Sequence, residues 1–212
     1  MQEHKNKVEL VGYYGGDETH ALSAWTSTSR ELTPEKRERI PKLLKFLVEG
    51  SDGQSHGTPF EKSMLHFLVT ADIATHIHFL KHRIAVSINT ESARYKEYTE
   101  DKFYVPDDWP RSCTVALHDH ILDSYRRYHA TVEELIANGI DKKRAKESAR
   151  FFLPYGIQLQ FDVAFNFRSF MHFVKLRAKP GAQKEVREIT LEMIRLVKEL
   201  PEFRYSCEAW GI

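Results

Sequence analysis

An α+β fold in a single domain is what this sequence predicts, with a central, mostly antiparallel sheet flanked by helices. Three observations carry that expectation. The chain has 212 residues, 42% hydrophobic and 29% charged, ordinary values for one compact globular unit. Residues 157 to 165 alternate between apolar and polar with period two, as a half-buried strand must. Strand-like and helix-like stretches are interleaved without strict β-α-β repeats, which disfavours a doubly wound sheet.

The elements follow in order. Lys7 to Tyr13 is partly β-branched and aromatic and ends at Gly15-Gly16, so it reads as a strand and turn. Thr33-Pro34-Glu35 is a helix start, with Thr33 as cap and Pro34 in the first turn. That helix carries Leu43, Leu44 and Leu47 and stops near Gly50, before a polar loop over 51 to 57. Met64 to Ala71 reads as a buried strand. Residues 72 to 83 place Ile73, Ile77 and Leu80 at helical spacing, with Asp72 as cap. Residues 84 to 105 read as irregular, apart from a short strand at Phe103-Tyr104-Val105. A long helix spans 112 to 137 and breaks at Asn138-Gly139. Asp141 caps another that runs to about Phe152, before Pro154. Ile157, Leu159, Phe161, Val163 and Phe165 share one face of the alternating strand. Helices over Arg168 to Arg177 and Ala182 to Leu200 close the chain.

Composition narrows the function. The formal net charge is +1, so no nucleic-acid partner is expected, and an anionic ligand must meet a local cluster of cations. No stretch approaches the roughly 20 apolar residues of a membrane helix. The N-terminal MQEHKNKVEL lacks the apolar core of a signal peptide. A cytoplasmic protein with no membrane partner is the expectation. Cys113 and Cys207 stand apart, without the CxxC spacing of a metal or redox site, and read as free thiols.

The chemistry concentrates in residues 78 to 95, HFLKHRIAVSINTESARY. Lys81, His82, Arg83 and Arg94 bring up to four positive charges together, with Ser87, Asn89, Thr90 and Ser92 as hydrogen-bonding groups between them. Such a run can surround a phosphate, because Arg binds bidentately and Lys as a point charge. It can equally be a basic helix end that favours its own dipole. His78 and His82 lie at i, i+4, with His76 near. No HExxH accompanies them, and no metal site is expected.

Lys81-His82-Arg83 followed by Ser92-Ala93-Arg94-Tyr95 resembles the RHR-x7-S signature of the flavin-dependent thymidylate synthases. Lys81 replaces the first Arg, and the spacing is one residue longer. Four further segments resemble the same family in order. They are His56-Gly57-Thr58-Pro59-Phe60-Glu61, Ala149-Arg150-Phe151-Phe152-Leu153-Pro154, Asn166-Phe167-Arg168-Ser169 through Phe173, and Leu176-Arg177-Ala178 with Ala182-Gln183 and Glu185. Lys62 and His172 replace a His and an Asn of the family pattern.

The resemblance implies a homotetramer that converts dUMP to dTMP. FAD is the implied hydride carrier, 5,10-methylenetetrahydrofolate the carbon donor and NADPH the reductant. It implies dUMP contacts from His78, Lys81, Glu91, Ser92, Ala93, Arg94, Arg150 and Arg177. FAD contacts are implied for Thr58, Lys81, His82, Arg83, Thr90, Glu91, Asn166, Phe167, Arg168 and His172, with Thr90 or Glu91 at the family's Glu position. Arg177 matches the Arg credited with assisting ionisation at N3 of the uracil, and a permanent guanidinium suits that role. Its bland alternative is an ion pair with Glu185. Ser92 lacks an adjacent His–carboxylate pair, so it reads as a hydrogen-bonding group rather than a nucleophile. Three other readings stay open. The chain could be a diverged dUMP-modifying flavoenzyme, for example one that hydroxymethylates C5. It could be a non-catalytic dUMP- or FAD-binding homologue, or an enzyme that uses a cysteine nucleophile.

Overall fold

The computed structural model describes residues 5–50, 54–92 and 102–212. Its strands are β1 (Lys7–Tyr14), β2 (Met64–Asp72), β3 (Val86–Thr90) and β4 (Gln158–Phe165). They form an antiparallel sheet in the order β1-β2-β4-β3. The helices among the described residues are α1 (Asp17–Trp25), α2 (Pro34–Glu49), α3 (Ile73–Leu80) and α4 (Arg111–Ala137), followed by α5 (Lys142–Ala149), α6 (Phe167–Arg177), α7 (Lys184–Lys198) and α8 (Arg204–Trp210). The expected α+β class is therefore observed.

Local chemistry sets the element boundaries. Thr33 caps α2 by accepting from the Lys36 N–H at 3.3 Å, with Pro34 in the first turn. Asp72 caps α3 by accepting from Thr75 N–H at 2.8 Å, and its second oxygen takes the Thr75 hydroxyl. Asp141 caps α5, and Asn166 caps α6 by accepting from Ser169 N–H at 2.8 Å. In β2, Leu65, Phe67, Val69 and Ala71 are fully buried, while the residues between them are partly exposed. That is the period-two burial of a strand with one covered face.

Four features depart from the sequence expectations, the first being α8, which follows the helix over Ala182 to Leu200 that was expected to close the chain. Residues 86 to 90, read as irregular, form β3; its Val86, Ile88 and Thr90 are only half covered, so its alternation carries little contrast. The helix α1 buries Asp17, His20 and Ala21, two of them polar, and so lacks an apolar stripe. Phe103 makes only an isolated bridge to Ile157 in place of the expected short strand.

The chain divides into two compact units. The described part of the first takes in residues 5–7, 69–81, 89–92 and 102–161. Its core is Phe103, Val105, Ile121, Tyr125 and Ile157, with Ile73, Leu117 and Leu153 packed against them. The second takes in 8–50, 54–68, 82–88 and 162–212. Its core is aromatic: Phe67 stacks on Phe170 at 5.8 Å and Phe167 on Phe203 at 5.4 Å.

The second unit also buries a polar ladder. The carboxylate of Asp17 accepts from Tyr205 N–H and Ser206 N–H, each at 2.8 Å, and from the Ser206 hydroxyl at 2.6 Å. With its proton given to Asp17, Ser206 Oγ accepts from His20 Nδ1 at 2.8 Å. His20 Nε2 then accepts from the Ser63 hydroxyl at 2.7 Å. His20 is wholly buried against Phe60 and Phe167, and burial pulls its pKa down to about 4, so it stays neutral.

Candidate functional site

In the first unit a cleft of about 330 Å³ has a mixed lining. Ile73, Leu153, Ile157 and Leu159 supply its apolar part; Thr90, Glu91, Ser92 and Arg150 supply its polar part. Arg150 ends α5 and opens a single 3-10 turn, Arg150–Phe152, which leaves its side chain exposed. Thr90 is the last residue of β3. Its hydroxyl lies 3.0 Å from Nε2 of His76, a buried ring packed on Phe161 at 4.7 Å. Burial lowers the His76 pKa, which favours a neutral ring behind Thr90. Glu91 N–H donates to the Gln160 carbonyl at 2.8 Å, and Gln160 N–H returns a bond to the Glu91 carboxylate at 3.2 Å. Glu91 is thus tied to the Gln160 backbone of β4.

Of the residues expected to contact nucleotide, Glu91, Ser92 and Arg150 line this cleft. Lys81 caps the C-terminal end of α3 and is exposed, and His78 lies half-buried in the last turn. Ala93 and Arg94 lie outside the described residues. Apolar side chains lining one cleft with an arginine, a carboxylate and two hydroxyls suit a flat ring joined to an anionic group.

The second unit holds a different cluster. Arg177 Nε–H donates to His82 Nε2 at 3.0 Å. His82 is buried, with the Phe173 ring edge-on at 4.8 Å and the His172 ring at 6.1 Å. Burial lowers the Arg177 pKa, yet a guanidinium starts high enough to stay charged. The bond to His82 is an unanticipated partner for Arg177; Glu185 instead accepts from Gln183 at 2.8 Å.

The loop after His82 is latched to the start of α6. Ser169 Oγ donates to the Ile84 carbonyl at 2.9 Å, and Asn166 N–H to the Ala85 carbonyl at 3.5 Å. Ala85 has φ of 51°, a left-handed conformation that costs an L-residue about 1 kcal/mol. Arg168, at the first turn of α6, donates to Glu61 at 2.6 Å. A Cβ on Gly57 would come within 2.7 Å of Arg168 Nε, so glycine is what lets the guanidinium lie against that turn. Thr58 starts the 3-10 turn Thr58–Lys62 and is exposed, as are Arg83 and His172.

Arg83 and Arg168 are cations of the kind that bind a diphosphate, and Arg168 stands in the first turn of α6. These residues therefore fit a dinucleotide cofactor such as FAD. Phe167 is the exception among the expected cofactor contacts. The whole residue is buried, its ring against Phe60 and Phe203, and it presents no group at the surface. His76 and Gln160, which hold Thr90 and Glu91, were not singled out from sequence as site residues. A partnership between residues 14 or 69 apart leaves no local pattern.

A second cleft of about 570 Å³, beside Gly15, Asp17, Arg37 and Tyr205, contains none of the expected site residues. Both cysteines are unpaired, and burial pushes the Cys207 thiol up to about 12, away from nucleophilic reactivity.

The sequence profile of the family described as "Thymidylate synthase complementing protein" matches residues 9–202. A flavin-dependent thymidylate synthase from Pseudothermotoga lettingae is 32% identical over 207 residues, covering 94% of this chain and 88% of that one. One from Streptomyces coelicolor is 32% identical over 189 residues, covering 81% and 75%. Among solved structures, the UMP/dUMP methylase PolB from Streptomyces cacaoi bound with 5-Br dUMP superposes with a TM-score of 0.79. Its identity is 26%, and the match covers 99% of this chain and 96% of that one. From the five ordered segments, the fold and these relatives together, the chain belongs to the flavin-dependent thymidylate synthase family.

Proposed function

We propose that the protein methylates C5 of dUMP to give dTMP. 5,10-Methylenetetrahydrofolate would supply the carbon, NADPH the electrons, and FAD would be the bound cofactor. The observation that carries this reading is the cleft that Ile73, Leu153, Ile157 and Leu159 line together with Arg150, Ser92, Glu91 and Thr90. Its apolar residues suit a pyrimidine ring, and Arg150 neutralises a phosphate with charge-assisted bonds. Ser92 adds a hydroxyl for orientation. His78 and Lys81 at the end of α3, with Ala93 and Arg94, extend the nucleotide contacts in this reading.

Lys81, Arg83 and Arg168 would hold the cofactor diphosphate. Asn166, Thr58 and His172 would supply neutral hydrogen bonds, with Thr90 or Glu91 completing the set. FAD, when bound, supplies hydride chemistry that no amino-acid side chain provides. The chain's own part is to fix the two ligands and stabilise charge. Arg177 would stabilise negative charge on a uracil deprotonated at N3, which raises electron density at C5.

A ribonucleotide reading has a specific support: the same Streptomyces cacaoi methylase also has a structure with 5-Br UMP, again 26% identical to this chain. Self-association into a homotetramer belongs to the same proposal. Ile84, Phe151 and Tyr155 are 87%, 83% and 67% exposed, large apolar groups that an assembly would cover. Light scattering of the purified protein reads the assembly directly. We place the protein in the cytoplasm; no helix among the described residues is long and apolar enough to cross a membrane.

The deciding experiment supplies the protein with dUMP or UMP, methylenetetrahydrofolate, FAD and NADPH and weighs the nucleotide product. A gain of one CH2 on dUMP supports the proposal, and the same gain on UMP alone supports the ribonucleotide reading. A hydroxymethyl product assigns a diverged reaction. Bound ligands with no turnover would overturn methylation in favour of a binding protein.

A further inference from the structure

The hydrogen bond between Arg177 and His82 has a chemical consequence for the imidazole. A guanidinium N–H can only donate, so the His82 Nε2 that meets Arg177 Nε at 3.0 Å must be an unprotonated acceptor. The proton of the neutral ring then sits on Nδ1. We infer that Arg177 is a positioning residue for His82: it fixes His82 as the neutral Nδ1–H tautomer, a hydrogen-bond donor that takes no part in proton transfer.

The surroundings reinforce the lock. Protonating Nε2 would point an N–H at a guanidinium N–H and place two like charges in contact. His82 is buried, so solvent screens that repulsion poorly. The Phe173 ring edge at 4.8 Å holds the imidazole plane, and the latch from Ser169 to the Ile84 carbonyl fixes the backbone two residues on. The His172 ring on α6 lies at 6.1 Å between centroids, and Arg83 is next in the chain.

Two statements follow about the Lys81-His82-Arg83 run. At neutral pH it carries two positive charges, and His82 adds a directional donor between them. Arg177 uses its Nε toward His82, so its role in holding the run is separate from any contact that its terminal nitrogens make with a nucleotide. This inference rests on the proposed function only for the statement that the run holds the flavin.

The test is long-range proton–nitrogen NMR of the full chain with 15N-labelled histidine. The His82 signals are assigned by their loss in His82→Gln. Expected in the wild type is one tautomer, with Nε2 unprotonated and no titration between about pH 8 and about pH 5, the span over which an ordinary imidazole changes charge. In Arg177→Met, His82 is expected to populate both tautomers. Gln can accept from Arg177 and still donate, so His82→Gln is expected to keep its flavin, read from the visible spectrum, whereas His82→Leu loses it. A protonated Nε2 or ordinary titration in the wild type overturns the inference, and so does an unchanged His82 in Arg177→Met. The NMR readout needs no turnover, so failure of the proposed methylation would leave this result standing.

Discussion

The two units hold their candidate ligand residues in opposite ways. In the first, Glu91, Ser92 and Arg150 line a cavity, and Arg150 is exposed at a helix end. In the second, His82, Arg168 and the Ile84–Ala85 loop are each pinned by protein groups: Arg177, Glu61, Ser169 and Asn166. The difference teaches where each unit's specificity resides. The cleft selects by shape and by the exposed charge of Arg150 beside the Glu91 carboxylate, whereas the latched cluster is pre-organised, which reduces the ordering cost when a ligand arrives.

That contrast can be broken most severely at its buried end. Asp17→Ala removes the acceptor of three hydrogen bonds from Tyr205 and Ser206. A loss of about 4 kcal/mol in folding stability is expected, from several buried donors left unsatisfied. Chemical denaturation would measure it; a loss below about 1 kcal/mol would show that the ladder is not a support of the second unit.

The same ladder gives a pH signature. The folded pKa of His20, about 4, lies below the ordinary imidazole value, so the unfolded chain takes up the proton first. Stability from this group is complete above about pH 6.5 and falls as pH drops toward 4, by about 3 kcal/mol in all. Burial raises the pKa of Asp17, which acts with the opposite sign and offsets part of the fall. Denaturation midpoints across this range should show the decline, and His20→Gln should flatten it. Equal slopes in both proteins would contradict the buried neutral ring.

Smaller changes sharpen the comparison. His76→Leu deletes the bond to Thr90 behind the cleft. An effect of about 1 kcal/mol is expected, a dUMP KM raised about 5-fold with flavin content unchanged. A flavin loss without a KM change would move Thr90 to the cofactor's account. Ala85→Gly relieves the left-handed residue in the latched loop. A stability gain of about 0.5 kcal/mol by thermal unfolding is expected. A loss would mean that Ala85 contributes packing beyond its backbone strain.

How much was legible in the sequence depended on how local each signal is. Caps such as Thr33, Asp72 and Asp141, and the alternation of β4, are written within a few residues, and the structure has them there. The motif residues Arg150, Arg168 and Arg177 were legible through family resemblance. Their partners were not: His82 and Arg177 are 95 residues apart, and Arg168 and Glu61 are 107 apart. The helix α1 escaped for another reason, since it buries an aspartate and a histidine whose partners lie in α8 and at Ser63. Polar burial of this kind is satisfied only by tertiary structure, so a hydrophobic pattern cannot announce it.

The most direct test of the division between the two units is a paired measurement on flavin-loaded protein. Flavin content, from the visible spectrum, and dUMP affinity, from calorimetry, would be read for Arg150→Ala and Arg168→Ala. Loss of a charge-assisted bond worth about 2 kcal/mol should weaken dUMP about 30-fold in Arg150→Ala while its flavin is retained. Arg168→Ala should release flavin. Unchanged dUMP affinity in Arg150→Ala, or loss of flavin from that variant as complete as from Arg168→Ala, would contradict the assignment of nucleotide to the cleft and cofactor to the latched cluster.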